Sequence, residues 1–295
     1  MTNMAESSTP ANPFDNWKSI SVALYMTLVG YGVLVGVPVI STAWVELLGF
    51  TEEQVGRVAG ADLGGLAAGA ILVSFVIGKL NRRWLVFLGL AIAVGANALC
   101  MFSEDYQTVL WLRFLAGTGS GIYTGVAVAT LGGSSKPARA YNMMLFAFAF
   151  SQAAEMHFLP MLSMNGIYWA FIVLYLISLP FIRLIPARPV KREVFEARIG
   201  ADGKIAPSIP KYLPWLCLAA IFFTYINIGS YWTYIELASL DAGINEVWIG
   251  RLLVWVSFGS FVGCFIATVI SNRFGLARPL LSYACDHDAY CRPPR

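Results

Sequence analysis

Five ionisable residues stand inside long apolar stretches of this sequence: Asp62, Arg113, Glu155, His157 and Glu236. A charge at the centre of a hydrocarbon layer costs about 2.5–3.5 kcal/mol on insertion scales, so each needs a partner or a wet cavity. Arg113 and Glu155 lie at similar distances from the same ends of two consecutive stretches. At ~1.5 Å of rise per residue their depths differ by a few Å. They are therefore expected to pair, as a structural bridge or as a contact for a coupling ion or solute. Asp62, near mid-stretch among glycines, is the second candidate. Glu236 sits near the end of its stretch and reads as solvated. His157 reads as an interfacial polar group whose ordinary pKa would also suit proton relay. Tyrosines crowd two stretches: Tyr25 and Tyr31 in one, Tyr225, Tyr231 and Tyr234 with Trp232 in the other. Each offers an apolar face and a hydroxyl to a small organic molecule, although interfacial belts account for such residues equally well.

The elements that must position these groups are membrane helices. Of 295 residues 58% are hydrophobic and 13% charged, about half the ~25% charge of a soluble domain. Mean hydropathy is +0.66. That balance excludes an ordinary soluble enzyme, a disordered chain and a nucleic-acid binder. Apolar runs of about 20 residues span the ~30 Å hydrocarbon core as helices. They fall at 17–45, 55–80, 84–102, 108–132, 138–161, 167–185, 212–239 and 249–271, which gives eight spans. The fold class is all-α, a polytopic helical membrane protein.

Cys100, Cys217 and Cys264 lie in apolar runs and read as packing residues. Cys285, His287, Asp288 and Cys291 match no standard zinc spacing, so no metal and no cofactor is expected. No nucleophile set converges, and an enzyme is the weakest reading. Gly117-Thr118-Gly119-Ser120-Gly121 is no dinucleotide loop, because no strand precedes it. Small residues four apart form stripes for close helix approach: Gly60, Gly64 and Ala68; Gly117, Gly121 and Gly125; Gly32 and Gly36. Pro38 is expected to bend the first span.

Basic residues gather in alternate joints, at Lys79, Arg82, Arg83, Lys136, Arg139 and Arg183 and through the loop 186–210. The opposite joints carry Glu46, Glu52, Glu53, Glu104, Asp105, Asp241 and Glu246. The excess of Lys and Arg on one side places the N-terminus and that loop in the cytoplasm. Residues 1–16 read as a disordered tail and the polar stretch 282–295 as an atypical one.

The chain also repeats itself. Gly49-Phe50-Thr51-Glu52-Glu53-Gln54-Val55-Gly56-Arg57 resembles Gly243-Ile244-Asn245-Glu246-Val247-Trp248-Ile249-Gly250-Arg251, at an offset of 194 residues. The same offset pairs Gly65 with Gly259, Gly69 with Gly263 and Tyr31 with Tyr225. Asn81-Arg82-Arg83 and Asn272-Arg273-Phe274-Gly275 close the two copies with a three-residue slip. Spans seven and eight thus repeat spans one and two in the same orientation, the pattern of parallel six-helix repeats in one class of secondary transporters.

On these residues the sequence resembles the major facilitator superfamily. Gly78-Lys79-Leu80-Asn81-Arg82-Arg83 is similar to the family's loop between helices two and three, with Asn81 where Asp is usual and one residue fewer. Arg113-Phe114-Leu115-Ala116-Gly117 resembles its helix-four motif. The fifth span lacks the Gly-Pro signature of many proton-driven drug antiporters. The resemblance implies a six-helix half at 17–185, a basic cytoplasmic loop at 186–211 and the first two helices of a second half at 212–281. It implies alternating-access transport of a small organic solute across the plasma (bacterial inner) membrane, coupled to protons. Arg113, Glu155, Asp62, Tyr31, Tyr225 and Tyr231 are then the substrate and coupling candidates. Gly78, Asn81, Arg82, Arg83, Asn272, Arg273 and Gly275 form the gating loops, and Gly64, Gly117 and Gly121 the packing positions. The resemblance implies twelve helices, so a chain of eight is expected not to transport alone; the alternative is a non-transporting fragment or an interaction subunit.

Overall fold

A computed structural model describes residues 12–188 and 212–274. The described residues form nine α-helices: α1 (Trp17–Gly30), α2 (Gly32–Leu48), α3 (Glu52–Val76), α4 (Arg82–Cys100), α5 (Tyr106–Gly132), α6 (Pro137–Phe158), α7 (Met164–Ser178), α8 (Leu213–Asp241) and α9 (Glu246–Phe274). Short 3-10 turns occupy Pro13–Asp15, Leu159–Met161 and Leu179–Leu184. The tails at the two ends and most of the basic loop lie outside the described residues.

Local chemistry fixes where the helices start. Asn16, Asn81 and Ser163 each accept a backbone N–H from the first turn of α1, α4 and α7. Thr51 and Gln54 form a reciprocal capping box on α3. The internal repeat is visible in the backbone itself. Gly49 and Gly243 both adopt positive φ, +69° and +76°, a left-handed conformation that a Cβ disfavours. Two residues further on, Thr51 and Asn245 each cap the next helix, through bonds to Gln54 N and Val247 N.

The first span differs from expectation. It divides at Tyr31, and Pro38, the expected site of a bend, lies within α2. Tyr31 stands between Gly30 and Gly32, and the Ser120 hydroxyl takes the Gly30 carbonyl, so side-chain competition loosens the helix there. Hydrogen bonds run on through the bend, from Tyr31 N to Thr27 O and from Val35 N to Tyr31 O, both 3.0 Å.

Among the described residues five stretches are long and apolar enough to cross a membrane: Trp17–Leu48, Glu52–Val76, Arg82–Cys100, Tyr106–Gly132 and Met164–Leu184. The other expected spans are α6, α8 and α9, of 22, 29 and 29 residues. Asn142, Ser151, Gln152, Glu155 and His157 dilute the apolar character of α6. Large apolar side chains such as Phe75, Trp84, Phe102, Trp111, Trp169 and Phe181 are exposed around the bundle, a surface suited to lipid and not to water.

The core has two parts. One, toward the basic joints, gathers Met26 and Val29 of α1 with Leu85, Leu90, Tyr123, Val126 and Tyr175. The other, toward the acidic joints, joins Trp44, Val55, Val109, Met156 and Tyr168 to Ile249 and Leu253 of α9. At the acidic end α8 is tied by Trp232 Nε1 to Val35 O (3.3 Å) and Tyr234 OH to Glu52 O (3.1 Å). These two residues join helices and do not face lipid as a belt. Toward the basic end of α8, Tyr212, Trp215, Leu216 and Phe222 are exposed. Among the described residues α8 is thus held at its acidic end and exposed toward its basic end.

Candidate functional site

Two carboxyl groups inside the bundle, buried Asp62 and half-buried Glu155, have different partners. Asp62 and Arg113 meet where α3 crosses α5. Arg113 Nε donates to Asp62 Oδ2 at 2.8 Å, and Nη2 donates to the same oxygen. Nη1 donates to Asn97 Oδ1 of α4 at 2.7 Å, and Asn97 Nδ2 in turn donates to Ala93 O at 2.8 Å. The guanidinium lies over the Tyr168 ring, 5.8 Å from its centre. Both members of the ion pair are about 2% exposed. Removing either member of a pair this enclosed strands the other.

The expected pair of Arg113 with Glu155 is therefore not formed. Depth by residue count did not decide the pairing; the side of the helix did. Arg113 is turned to α3 and α4 by the close crossing of α3 and α5, which glycines permit. A Cβ at Gly65 would run into Phe114 O and Thr118 N of α5, and one at Gly117 into the backbone of Asp62. Gly69 and Gly121 meet the opposite backbone in the same way, and Gly125 lies against Val73. Gly60 and Gly64 face open space, which corrects the expected stripe on α3 by one residue. The face in use is Asp62, Gly65, Gly69 and Val73, all buried and three or four residues apart.

Glu155 of α6 lies against α2. Its Oε1 accepts from the Ser151 hydroxyl at 2.9 Å, and its Oε2 is enclosed with no hydrogen-bond partner. Gly36 and Gly32 make the notch that receives it. A Cβ at Gly36 would sit 2.8 Å from Oε2, and one at Gly32 3.5 Å from Oε1 and 2.8 Å from the Phe171 ring. Gly32 directly follows the bend at Tyr31, whose ring meets Phe148 of α6 edge-on at 5.5 Å. Carboxyl, bend and aromatic pair thus share the α2–α6 boundary. Ser151 was legible as a partner, four residues before Glu155 on one helical face. Asn97 was signalled only as the amide in an otherwise apolar run.

The remaining candidates are dispersed. Tyr225 and Tyr231 are 63% and 67% exposed on α8. His157 is exposed, while Glu236 is buried rather than solvated. In the loop motif Gly78 has open space around it, and Asn81 caps α4. Arg83 Nε donates to Ile185 O at 2.8 Å. Arg82 is buried over the Phe14 ring, 4.8 Å from its centre. Asn272 and Arg273 end α9, and Gly275 lies outside the described residues, as does the Cys285 to Cys291 cluster. Cys100 is buried near Tyr168 in the acidic-end core.

A bundle of apolar helices with an ion pair locked between its third and fifth members, a lone carboxyl in a glycine notch and a backbone-level repeat defines a class. The Major Facilitator Superfamily model matches residues 21–284, and the chain belongs to that family. It is an integral, multi-pass membrane protein. It is 24% identical over 237 residues to the uncharacterized MFS-type transporter YceJ of Bacillus subtilis (strain 168), across 76% of this chain and 60% of that protein. The chain thus spans about 60% of the length of the curated relative that it matches.

Proposed function

We propose that this chain forms the larger part of a secondary transporter for a small organic solute, working by alternating access and coupled to protons through Glu155. The observation that carries this reading is the Glu155 carboxyl, enclosed at the α2–α6 contact with one oxygen unbonded and no cation paired with it among the described residues. An unpaired charge in so apolar a setting is costly, so a proton that binds and leaves there does work on the packing around it. With its proton on, the group fits the Gly32–Gly36 notch. With the proton lost, it favours leaving that notch for a wetter setting, which moves α6 against the junction of α1 and α2. The six-helix half 17–185, the loop 186–211 and the first two helices of a second half at 212–281 remain our reading of the domains, with the basic end in the cytoplasm of a bacterial inner membrane.

The test is transport in liposomes with an imposed pH gradient, with the chain alone and in a version extended to twelve helices. Glu155→Gln in the extended version is expected to abolish proton-driven accumulation while keeping solute exchange without a gradient. Normal accumulation in Glu155→Gln overturns the assignment. A second reading, a membrane subunit that acts only with additional helices, is favoured by the exposed apolar residues Phe222, Ile226, Phe258 and Phe265 on α8 and α9. Transport by the chain alone would remove it.

A further inference from the structure

Between the start of α1 and the start of α6, at the basic end, lies a cavity of about 370 Å³, within the ~300–1,000 Å³ of small-molecule sites. Two cations stand at its mouth, Lys136 and Arg139, and among the described residues neither has an acidic partner in an ion pair. Asp15 also borders it, but Ser135 already engages both its oxygens, one by its N–H at 2.7 Å and the other by its hydroxyl. From this polar mouth the wall turns apolar in the direction of the membrane. Ala140 and Met143 follow Lys136 by one and two helical turns, and Ile20 faces them from α1. Trp17 borders the cavity, is 70% exposed, and has the Lys18 ammonium 5.8 Å from its ring centre. An exposed Trp beside a Lys at the start of a span marks the headgroup level of a bilayer.

We propose that this crevice seats an anionic phospholipid, its phosphate at Lys136 and Arg139 and the start of an acyl chain along Ile20, Ala140 and Met143. Basic pockets between membrane helices bind anionic headgroups, and a free oxyanion would use the cations but leave the apolar wall without a purpose. The site is built from the starts of α1 and α6 and the turns beside them, and is independent of any role for Glu155.

The experiment is thermal unfolding of the purified full chain in a neutral detergent, titrated with phosphatidylglycerol, phosphatidylcholine or inorganic phosphate, with native mass spectrometry to count retained lipid. Phosphatidylglycerol is expected to raise the midpoint above the phosphatidylcholine value and to be retained. The exposed pair Lys136→Gln and Arg139→Gln should weaken its binding about fivefold per cation removed, the worth of a Lys or Arg near an anionic surface. Met143→Trp, which fills the apolar wall and leaves the charge intact, should also weaken phosphatidylglycerol. Equal effects of the two lipids, or undiminished phosphatidylglycerol binding in either variant, would overturn the proposal. So would inorganic phosphate reproducing the whole increment, which would assign the cations to a free anion.

Discussion

At the scale of single residues, Arg113 is costly to remove by itself because it satisfies two partners in a buried place. Arg113→Met alone strands Asp62 and leaves Asn97 Oδ1 without its donor; it should cost about 3–5 kcal/mol. Adding Asp62→Leu removes the stranded charge and should recover most of that loss, since apolar replacements of buried pairs are often neutral or better. A double-mutant cycle on stability in detergent reads this directly, and additive losses would contradict the pairing. Asp105 gives a pH signature outside the membrane. It caps α5 by accepting from Thr108 N and Thr108 Oγ1, both at 2.9 Å. These bonds, the backbone one foremost, hold its carboxyl below the ordinary value. A group depressed in the folded state contributes fully above its unfolded pKa, about 3.9, and loses that contribution as pH falls through the folded value. Stability of Asp105→Asn should therefore fall less steeply below about pH 4 than that of the parent, measured as the unfolding midpoint against pH. Parallel curves would argue against the cap.

At the scale of elements, the repeat makes a controlled comparison. Gly65 and Gly259 are equivalent by the 194-residue offset, yet a side chain at Gly65 meets the backbone of α5 whereas Gly259 has open space. Gly65→Val is expected to destabilise by several kcal/mol, because a helix backbone cannot yield as a flexible side chain can; overpacking of well-packed sites costs about 1–3 kcal/mol even when it can relax. Gly259→Val in this chain should stay within about 0.5 kcal/mol, the range of exposed substitutions. The reading is helical signal against temperature for both variants, and equal losses would show that the two copies pack alike. The capping box on α3 belongs to the same scale. Thr51→Ala should cost about 1 kcal/mol, while Thr51→Asn, the residue at the equivalent position 245, should keep most of it.

At the scale of the whole molecule, charge fixes orientation and packing fixes conformation. Single cysteines introduced at Glu52 and Lys136 should respond oppositely to a membrane-impermeant thiol reagent. In intact cells Glu52→Cys is expected to be labelled and Lys136→Cys only after lysis. Labelling of Lys136→Cys from outside would invert the topology. Among the described residues α8 is held at the acidic end through Trp232 and Tyr234, while α9 packs against α6 and joins the acidic-end core through Ile249 and Leu253.

The all-α class, the order of the helices, their capped starts and the repeat were determined by the sequence alone. Each follows from short-range chemistry: apolar runs of membrane length, side chains that cap within three residues, glycines at fixed offsets. The five ionisable residues were legible too, because charge inside an apolar run is visible without coordinates. Which of them pair was decided only by tertiary structure. Counting residues gives Arg113 and Glu155 similar depths, but partnership depends on rotation about the helix axis. That rotation is set by the α3–α5 crossing through Gly65, Gly69, Gly117 and Gly121. The same holds for Gly32 and Gly36, whose spacing announces close approach but not that the approaching group is a carboxyl. Helical periodicity tells which residues share a face; only packing between helices tells which faces meet.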